Sequence, residues 1–250
     1  MNRWGETTST IKWGRHVLPL GQKTCIMGVL NVTPDSFSDG GRFLNSSRAI
    51  EHGLAMERDG ADIIDVGGES TRPYSNKISV QEELDRVLPV IQSLNKELSI
   101  PISIDTHKAE VARQALQEGA AMINDISALR LDPEMASLAA KAEVPVVVMH
   151  MKGTPADMQD NPRYDNLLQE VIEFLHGVVE NAVKAGIKRE LMIVDPGIGF
   201  GKTFNHNLEI IKELAQLRVI ERPILLGTSR KAFIGHILEK EANDRDVGLL

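Results

Sequence analysis

Short apolar runs alternate with helical patterns along the chain, and this alternation restricts the possible folds more than any other feature. Seven runs rich in isoleucine, valine and leucine have the length and composition of strands buried on both faces. They span residues 25–30, 61–66, 102–104, 122–123, 144–149, 191–194 and 224–226. Helical patterns follow them at 46–59, 79–97, 107–118, 133–142, 165–185, 207–217 and 230–241. Two α/β folds have this order, a doubly wound sheet and a (β/α)₈ barrel.

Polar residues at the ends of nearly all the predicted strands favour the barrel. They are Asn31, Asp65, Asp105, Asn124, His150, Asp195 and the group 228–231. In a doubly wound sheet only the strands at the switch point carry ligand chemistry, whereas in a barrel every carboxyl end opens on one mouth. We therefore predict a (β/α)₈ TIM barrel, in a single domain over residues 1–250. A hairpin at about 11–18 is expected to plug the bottom of the barrel.

Charge and cysteine content exclude several classes of protein. The formal net charge of −7 is unfavourable for broad binding to nucleic acid or to an anionic membrane, so we expect neither as a partner. A single cysteine, Cys25, allows neither an intrachain disulfide nor a metal site of several cysteines. The polar start of the chain has no apolar segment typical of a secretory signal, which indicates a cytoplasmic protein.

Two long loops after the first two strands are candidates for function. The first runs from Asn31 to Gly41 and contains Asp35 and Phe37, and its length exceeds that of ordinary βα loops. The second carries hydroxyls, glycines and Arg72, which together suit a carboxylate or a phosphate. The alternatives are a solvated loop built from local side-chain turns and a turn with a surface arginine.

Three strand ends carry side chains suited to a flat heterocycle. Asp105 and Asp195 only accept hydrogen bonds, whereas Asn124 donates and accepts, so together they match a ring with several N–H groups and an acceptor. The alternative is that each residue caps the next helix. We interpret the loop after Asp195 as flexible and as presenting Phe200 to a ring. Lys231 lies at the start of a predicted helix, where its charge and the helix N–H groups would form an anion-binding site.

The order of these motifs resembles the dihydropteroate synthase family. Residues 27–41, MGVLNVTPDSFSDGG, and 65–73, DVGGESTRP, are similar to its two signatures. Shorter blocks beginning at Ser103, Asn124, Asp195 and Ser229 follow in the family's order, so the resemblance covers the chain from about residue 13 onward. It implies condensation of 6-hydroxymethyl-7,8-dihydropterin pyrophosphate with para-aminobenzoate, giving 7,8-dihydropteroate and pyrophosphate in folate biosynthesis. It also implies dependence on Mg²⁺ and a homodimer.

The resemblance implies roles for particular residues. Asp105, Asn124, Asp195 and Lys231 would hold the pterin, and Asn31 would lie near magnesium and pyrophosphate. The aminobenzoate side would comprise Thr71, Arg72, Pro73, Phe200 and Lys231. Ser229 and Arg230 would order the seventh loop, and we count them among the substrate-binding residues together with Asp35 and Phe37.

Two other functions share the heterocycle-binding residues, and some positions depart from the family pattern. The alternatives are a methyltetrahydrofolate–corrinoid methyltransferase and a non-catalytic pterin-binding barrel. Tyr74 stands where many members have glycine, and Ala232 where some have serine. The family's eighth strand, with its Arg-x-His pair, has no counterpart, so the predicted barrel domain is C-terminally incomplete. We expect one further βα unit of roughly 25–35 residues in the native protein.

Overall fold

The computed structural model describes residues 10–21, 23–33, 42–70, 77–154, 157–241, 244, 245 and 248, with the backbone alone for 42–45. The strands are β1 Ile11–Trp13, β2 His16–Leu18, β3 Met27–Asn31, β4 Ile63–Gly67, β5 Ile102–Asp105, β6 Met122–Asp125, β7 Val146–Met149 and β8 Met192–Asp195. The helices are α1 Arg42–Arg58, α2 Val80–Glu97, α3 Ala109–Gln117, α4 Met135–Ala142, α5 Leu167–Lys184, α6 Phe204–Lys212 and α7 Ala232–Leu238. Short 3₁₀ turns cover Arg189–Leu191 and Leu214–Ile220.

The sheet has the strand order of a barrel. Strands β3 to β8 pair in parallel, and each lies beside the next strand in the sequence. Because crossovers between parallel strands are right-handed, a sheet that grows in one direction places its helices on one face. A doubly wound sheet reverses its order and covers both faces. The described strands therefore confirm the prediction of the barrel type over the doubly wound alternative.

The predicted seventh strand is reduced to a single bridge. Ile224 is bridged to Val194 of β8, with hydrogen bonds from Val194 N to Pro223 O (3.0 Å) and from Leu225 N to Val194 O (2.9 Å). Pro223 has no N–H group and contributes only its carbonyl to this pairing. The segment nevertheless runs parallel to β8 and places residues 228–231 near the carboxyl end of the sheet.

The larger core lies between the helices and the outer face of the sheet. Helix α2 shows how the sequence builds it, because Val87, Ile91 and Leu94 repeat at helical spacing and are fully buried. Its first turn is capped by Ser79, whose Oγ accepts from Glu82 N at 3.1 Å. The cap therefore sets the start of α2, and the apolar stripe sets which of its faces packs against the sheet.

The hairpin of β1 and β2 closes the amino-terminal end of the barrel, as the sequence predicts. Its side chains Ile11, Trp13 and Leu18 pack against the inner face of the sheet. The sheet contributes Ile63, Met122, Val147 and Ile193 to this second core. Trp13 also donates from Nε1 to the carbonyl of Ala121 at 2.7 Å. The hairpin therefore covers the end of the lumen opposite to the carboxyl ends of the described strands.

Substitution of Trp13 by phenylalanine is expected to reduce the free energy of unfolding by about 1–2 kcal/mol. Phenylalanine keeps an aromatic ring that is smaller than the indole, and the part-buried carbonyl of Ala121 loses its donor. Urea denaturation of the purified protein measures the change. Val17→Ala on the same hairpin is the control, because that side chain is 53% exposed and should alter stability by less than about 0.5 kcal/mol. If both substitutions reduced the free energy of unfolding equally, the hairpin would not pack through Trp13 against the end of the barrel.

The last described helix is shorter than the sequence pattern predicts. Arg230 has a φ of +56° and Glu239 a φ of +54°, so neither continues a right-handed helix. The helix is therefore limited to Ala232–Leu238 within the predicted range 230–241. Among the described residues, no helix combines the length and apolar character needed to cross a membrane.

Candidate active site

Three of the predicted site residues, Asn31, Asp105 and Asn124, lie at the carboxyl ends of strands and at the same level of the sheet. Asn31 is paired with Gly67, Gly67 with Asp105, and Asp105 with Asn124 across β3, β4, β5 and β6. A Cβ on Gly67 would stand 3.3 Å from Asp105 Oδ2 and 3.7 Å from Asn31 Oδ1. Both oxygens thus lie close to the position that a side chain at Gly67 would occupy. The parallel register, which the sequence only implied, brings these residues together.

Asp65 lies one layer deeper in the lumen and orients Asn124. The Nδ2 of Asn124 donates to Asp65 Oδ2 at 2.8 Å, and Asp65 is 3% exposed. Because that N–H is used internally, the Oδ1 of Asn124 is the atom left to accept from a ligand. Asp65 was identified as a polar strand end but not among the predicted site residues. Its position two residues before Gly67, on the same face of β4, is the sequence signal for it.

Burial raises the pKa of the two carboxyl groups, Asp105 and Asp65. Burial, followed by the charges of Asp65 and nearby acidic residues, raises the pKa of Asp105 well above its usual value. Burial likewise raises the pKa of Asp65, against the hydrogen bond from Asn124. Carboxylates in this position favour a ligand that brings N–H donors or developing positive charge, because such a ligand relieves their repulsion.

Asp195 and Lys231 form the opposite side of the site. Burial raises the pKa of Asp195 to about 6, although a hydrogen bond from Gly197 N to Oδ1 (2.6 Å) and the charges of Lys231 and Lys202 oppose it. Burial lowers the pKa of Lys231, and Asp195 and Asp105 raise it. The ammonium of Lys231 lies 4.4 Å from the centroid of the Phe200 ring. A cation, an anion and an aromatic face therefore lie within reach of one ligand.

An apolar wall borders these charges. Phe200 packs against a small cluster made mainly of methionine, consisting of Ile126, Met149, Met151 and Met158. All four cluster residues are buried. Methionine side chains are flexible and pack well against the face of a planar ring. The apolar wall could therefore contact the face of a planar ligand whose edge is bound by the polar groups.

The loop after β8 is held from several sides, whereas its composition indicated a flexible segment. Gly199 O accepts from Gln159 Nε2 (2.6 Å), and Gly201 O accepts from the hydroxyl of Tyr164 (2.7 Å). The N–H of Gly199 donates to Asn207 Oδ1 at 2.7 Å. The glycines of the loop adopt backbone conformations with positive φ, and hydrogen bonds to other segments hold the loop in that conformation.

The remaining predicted residues divide into two groups. Ser229 and Arg230 are exposed at the start of the last helix, and the carbonyl of Arg230 accepts from Arg245 Nη1 at 3.1 Å. Five residues lie outside the described part of the chain, namely Asp35, Phe37, Thr71, Arg72 and Pro73. Their predicted roles on the two long loops stay predictions.

Among the described residues, no three His, Cys, Asp or Glu side chains cluster so that they would hold a metal ion. A magnesium ion does not require such a cluster, because it keeps several waters and takes one or two protein oxygens together with substrate phosphates. The exposed carboxamide of Asn31, beside Gly67, provides one such oxygen. The described residues therefore fit a magnesium ion that is held largely by a phosphate ligand.

Comparison with known families defines the class of this site. Residues 27–250 match the family described as "Pterin binding enzyme". The match covers the barrel strands and every residue of the site. The chain belongs to this family of pterin-binding enzymes.

Individual relatives narrow the class. The dihydropteroate synthase of Synechocystis sp. is 47% identical over 227 residues, which cover 91% of this chain and 78% of the relative. A structure of Xanthomonas albilineans dihydropteroate synthase with 4-aminobenzoic acid is 42% identical, with a TM-score of 0.90, over 97% of this chain and 86% of the other. The same enzyme in complex with 7,8-dihydropteroate is 41% identical, with a TM-score of 0.84, over 93% and 82%. Within its family, this chain falls among the dihydropteroate synthases.

Proposed function

We propose that this site condenses 6-hydroxymethyl-7,8-dihydropterin pyrophosphate with para-aminobenzoate. The observation that carries the proposal is the convergence of Asp105, Asn124, Asp195 and Lys231 on one barrel mouth beside an apolar wall. The dihydropteroate synthases to which the chain is similar, including one in complex with 7,8-dihydropteroate, support it. They favour the synthase over the corrinoid methyltransferase, which the sequence left as an alternative.

The pterin would be bound through its edge. Asp195 and Asp105 would accept from ring and exocyclic N–H groups, and the outward Oδ1 of Asn124 would accept a further one. Lys231 would donate to the ring's carbonyl. The methionine wall would cover one face of the ring.

The reaction breaks the bond between the pterin methylene carbon and the pyrophosphate oxygen, and it forms a carbon–nitrogen bond to the arylamine. The electron-rich dihydropterin delocalises positive charge at that carbon, so the carbon–oxygen bond breaks ahead of the attack. Asp105 and Asp195 would stabilise the positive charge because Asp195 is buried and Asp105 is half-buried, so bulk water shields them less than it shields a surface carboxylate. The amine attacks as the neutral base and afterwards loses one proton to the departing pyrophosphate or to water.

Asn31 would place a magnesium ion at the pyrophosphate end of the site, as its exposed carboxamide suggests. The ion would neutralise charge on the leaving pyrophosphate. Phe200 and Lys231 would contact the aminobenzoate, with Thr71, Arg72 and Pro73 as further proposed contacts. Ser229 and Arg230 would order the loop that precedes α7. The homodimer and the cytoplasmic location stay predictions from the sequence.

Pyrophosphate release in a coupled assay tests the proposed function. We expect release only when the pterin pyrophosphate, the arylamine and Mg²⁺ are all present, with 7,8-dihydropteroate formed in equal amount. Tight pterin binding by calorimetry without any release would instead support the non-catalytic binding barrel. Exchange of oxygen-18 into the bridging position without amine would support early bond cleavage, and its absence would count against a free cation.

A further inference from the structure

A buried ammonium group joins the loop after β8 to the end of β7. Lys202 is 3% exposed, and its Nζ lies 3.3 Å from the carbonyl oxygen of His150 and 3.0 Å from that of Phe200. The third partner is Nδ1 of the His150 ring, at 2.9 Å. A lysine ammonium has three N–H donors, and here each has an acceptor. The sequence motifs gave Lys202 no role beyond the loop that contains it.

The electrostatics of this group are defined by its neighbours. Burial and the charge of Lys202 lower the pKa of His150 to about 2, so the ring is neutral and its Nδ1 accepts while Nε2 carries the hydrogen. Burial lowers the pKa of Lys202 to about 7, Asp195 raises it and Lys231 lowers it further. Burial lowers the pKa of His206 on α6, and the charge of Lys202 lowers it further. Asp195, on the adjacent strand, is therefore the group that favours the charged form of Lys202.

The carbonyl of Phe200 is the loop atom that Lys202 holds. Gln159 and Tyr164 bind the carbonyls of the neighbouring glycines, but neither bonds to that of Phe200. The Phe200 ring in turn faces Lys231 Nζ at 4.4 Å and packs on the methionine wall. A shift of this one carbonyl would move the ring, while the strand ends that hold the pterin would stay in register.

We propose that Lys202 is a positioning residue that fixes the Phe200 ring relative to Lys231 and so sets the affinity for the arylamine substrate rather than for the pterin. The inference rests on the proposed function, in which Phe200 and Lys231 contact the amine. It makes the affinities for the two substrates separable. Asp105, Asn124 and Asp195 of the pterin site lie on strands β5, β6 and β8, whereas the amine side depends on the Phe200 carbonyl, to which Lys202 donates.

The test compares Lys202→Met with Lys188→Met, an exposed lysine paired with Glu143 at 2.6 Å. In Lys202→Met we expect KM for para-aminobenzoate to rise about tenfold, because the hydrogen bond from the buried Lys202 Nζ to the Phe200 carbonyl is lost. At pH 8, above the pKa of about 6 for Asp195 and of about 7 for Lys202, the kcat and the KM for the pterin pyrophosphate should stay within about threefold. Amide hydrogen exchange in residues 197–201 should become about tenfold faster, while exchange in α5 is unchanged. Lys188→Met should change none of these quantities.

A milder variant keeps the test decisive if Lys202→Met does not fold. Lys202→Gln retains N–H donors without the charge, and we expect KM for the amine to rise about threefold with the same selectivity. Equal increases in both KM values, or unchanged exchange in residues 197–201, would overturn the positioning role. The exchange measurement does not depend on turnover. If the wild-type protein released no pyrophosphate, the proposed function would fail, and the exchange data would still judge the Lys202 contact.

Discussion

Replacement of Asp195 by asparagine is expected to lower kcat/KM for the pterin pyrophosphate by about 10³-fold. The carboxylate accepts hydrogen bonds only, and an asparagine would turn an NH₂ group toward a ring that itself offers N–H donors. A loss of this size is expected where a buried polar group must match a hydrogen-bonding group of the substrate, because a mismatch leaves both groups desolvated and without a partner. It would also remove the negative charge that favours the developing cation. Steady-state kinetics with each substrate varied in turn measures the loss.

Asp59→Asn is the matched control, because the same chemical change then falls on an exposed residue after α1, far from the mouth. It should leave kcat/KM within about twofold of the wild type. If kcat/KM fell by less than about tenfold in Asp195→Asn, the buried carboxylate would not be an important hydrogen-bond acceptor for the pterin ring.

The same variant has a distinct signature in pH. Burial raises the pKa of Asp195 to about 6, so the wild-type kcat/KM should fall as the pH drops through about 6, and Asp195→Asn should lack this limb. The usual pKa is 3.8, so between 3.8 and about 6 the folded state holds the proton more tightly than the unfolded state. The stability that Asp195 contributes is therefore complete below pH 3.8 and is lost as the pH rises through about 6.

This linkage amounts to about 3 kcal/mol, at 1.36 kcal/mol per pKa unit. Asp195→Asn should therefore unfold at higher urea concentration than the wild type at pH 8, and the difference should shrink at about pH 4. A variant that is less active yet more stable would show that the folded chain holds this carboxylate at a cost in stability. A loss of stability at pH 8 would instead mean that the charged carboxylate is stabilised in place.

The site residues that the sequence predicted are those whose positions follow from strand register alone. Asp105 and Asp195 end buried strands, and Asn124 is the last residue but one of β6. Parallel pairing brings such strand ends to one mouth whatever the intervening loops do. Asp65 could be identified as a polar strand end, but its partner was not predictable. Its bond to Asn124 spans 59 residues and depends on how two side chains share one layer of the lumen.

Lys202 shows the other limit of sequence reasoning. A lysine beside glycines is typical of an exposed loop, and its burial against His150 depends on a contact across 52 residues. The flexible-loop interpretation failed for the same reason, since Gln159, Tyr164 and Asn207 come from other segments. Fold class and strand ends are thus encoded by local periodicity, whereas the setting of the loops is encoded by tertiary contacts between polar groups that no local pattern relates.

Replacement of Gly197 by alanine is expected to reduce the free energy of unfolding by about 4 kcal/mol. Gly197 has a φ of +71°, and a Cβ there would stand 2.0 Å from the carbonyl oxygen of His150. The left-handed conformation costs about 1–2 kcal/mol for a residue with a side chain, and the overlap with a buried backbone atom adds about 1–3 kcal/mol. Relief by movement of the loop would break the bond from Gly197 N to Asp195 Oδ1, so kcat/KM should also fall about 100-fold.

Two other glycines separate the sources of this effect in urea denaturation. Gly60 has a φ of +105° with open space around its Cβ position, so Gly60→Ala carries backbone strain alone, about 1–2 kcal/mol. Gly177 lies inside α5 with nothing near its Cβ position, and Gly177→Ala should stabilise the protein by about 0.5–1 kcal/mol. If Gly197→Ala were no more damaging than Gly60→Ala, the loop backbone would not lie against His150. The contact through which Lys202 is proposed to position Phe200 would then lose its structural basis, because that contact requires the same close approach of the two segments.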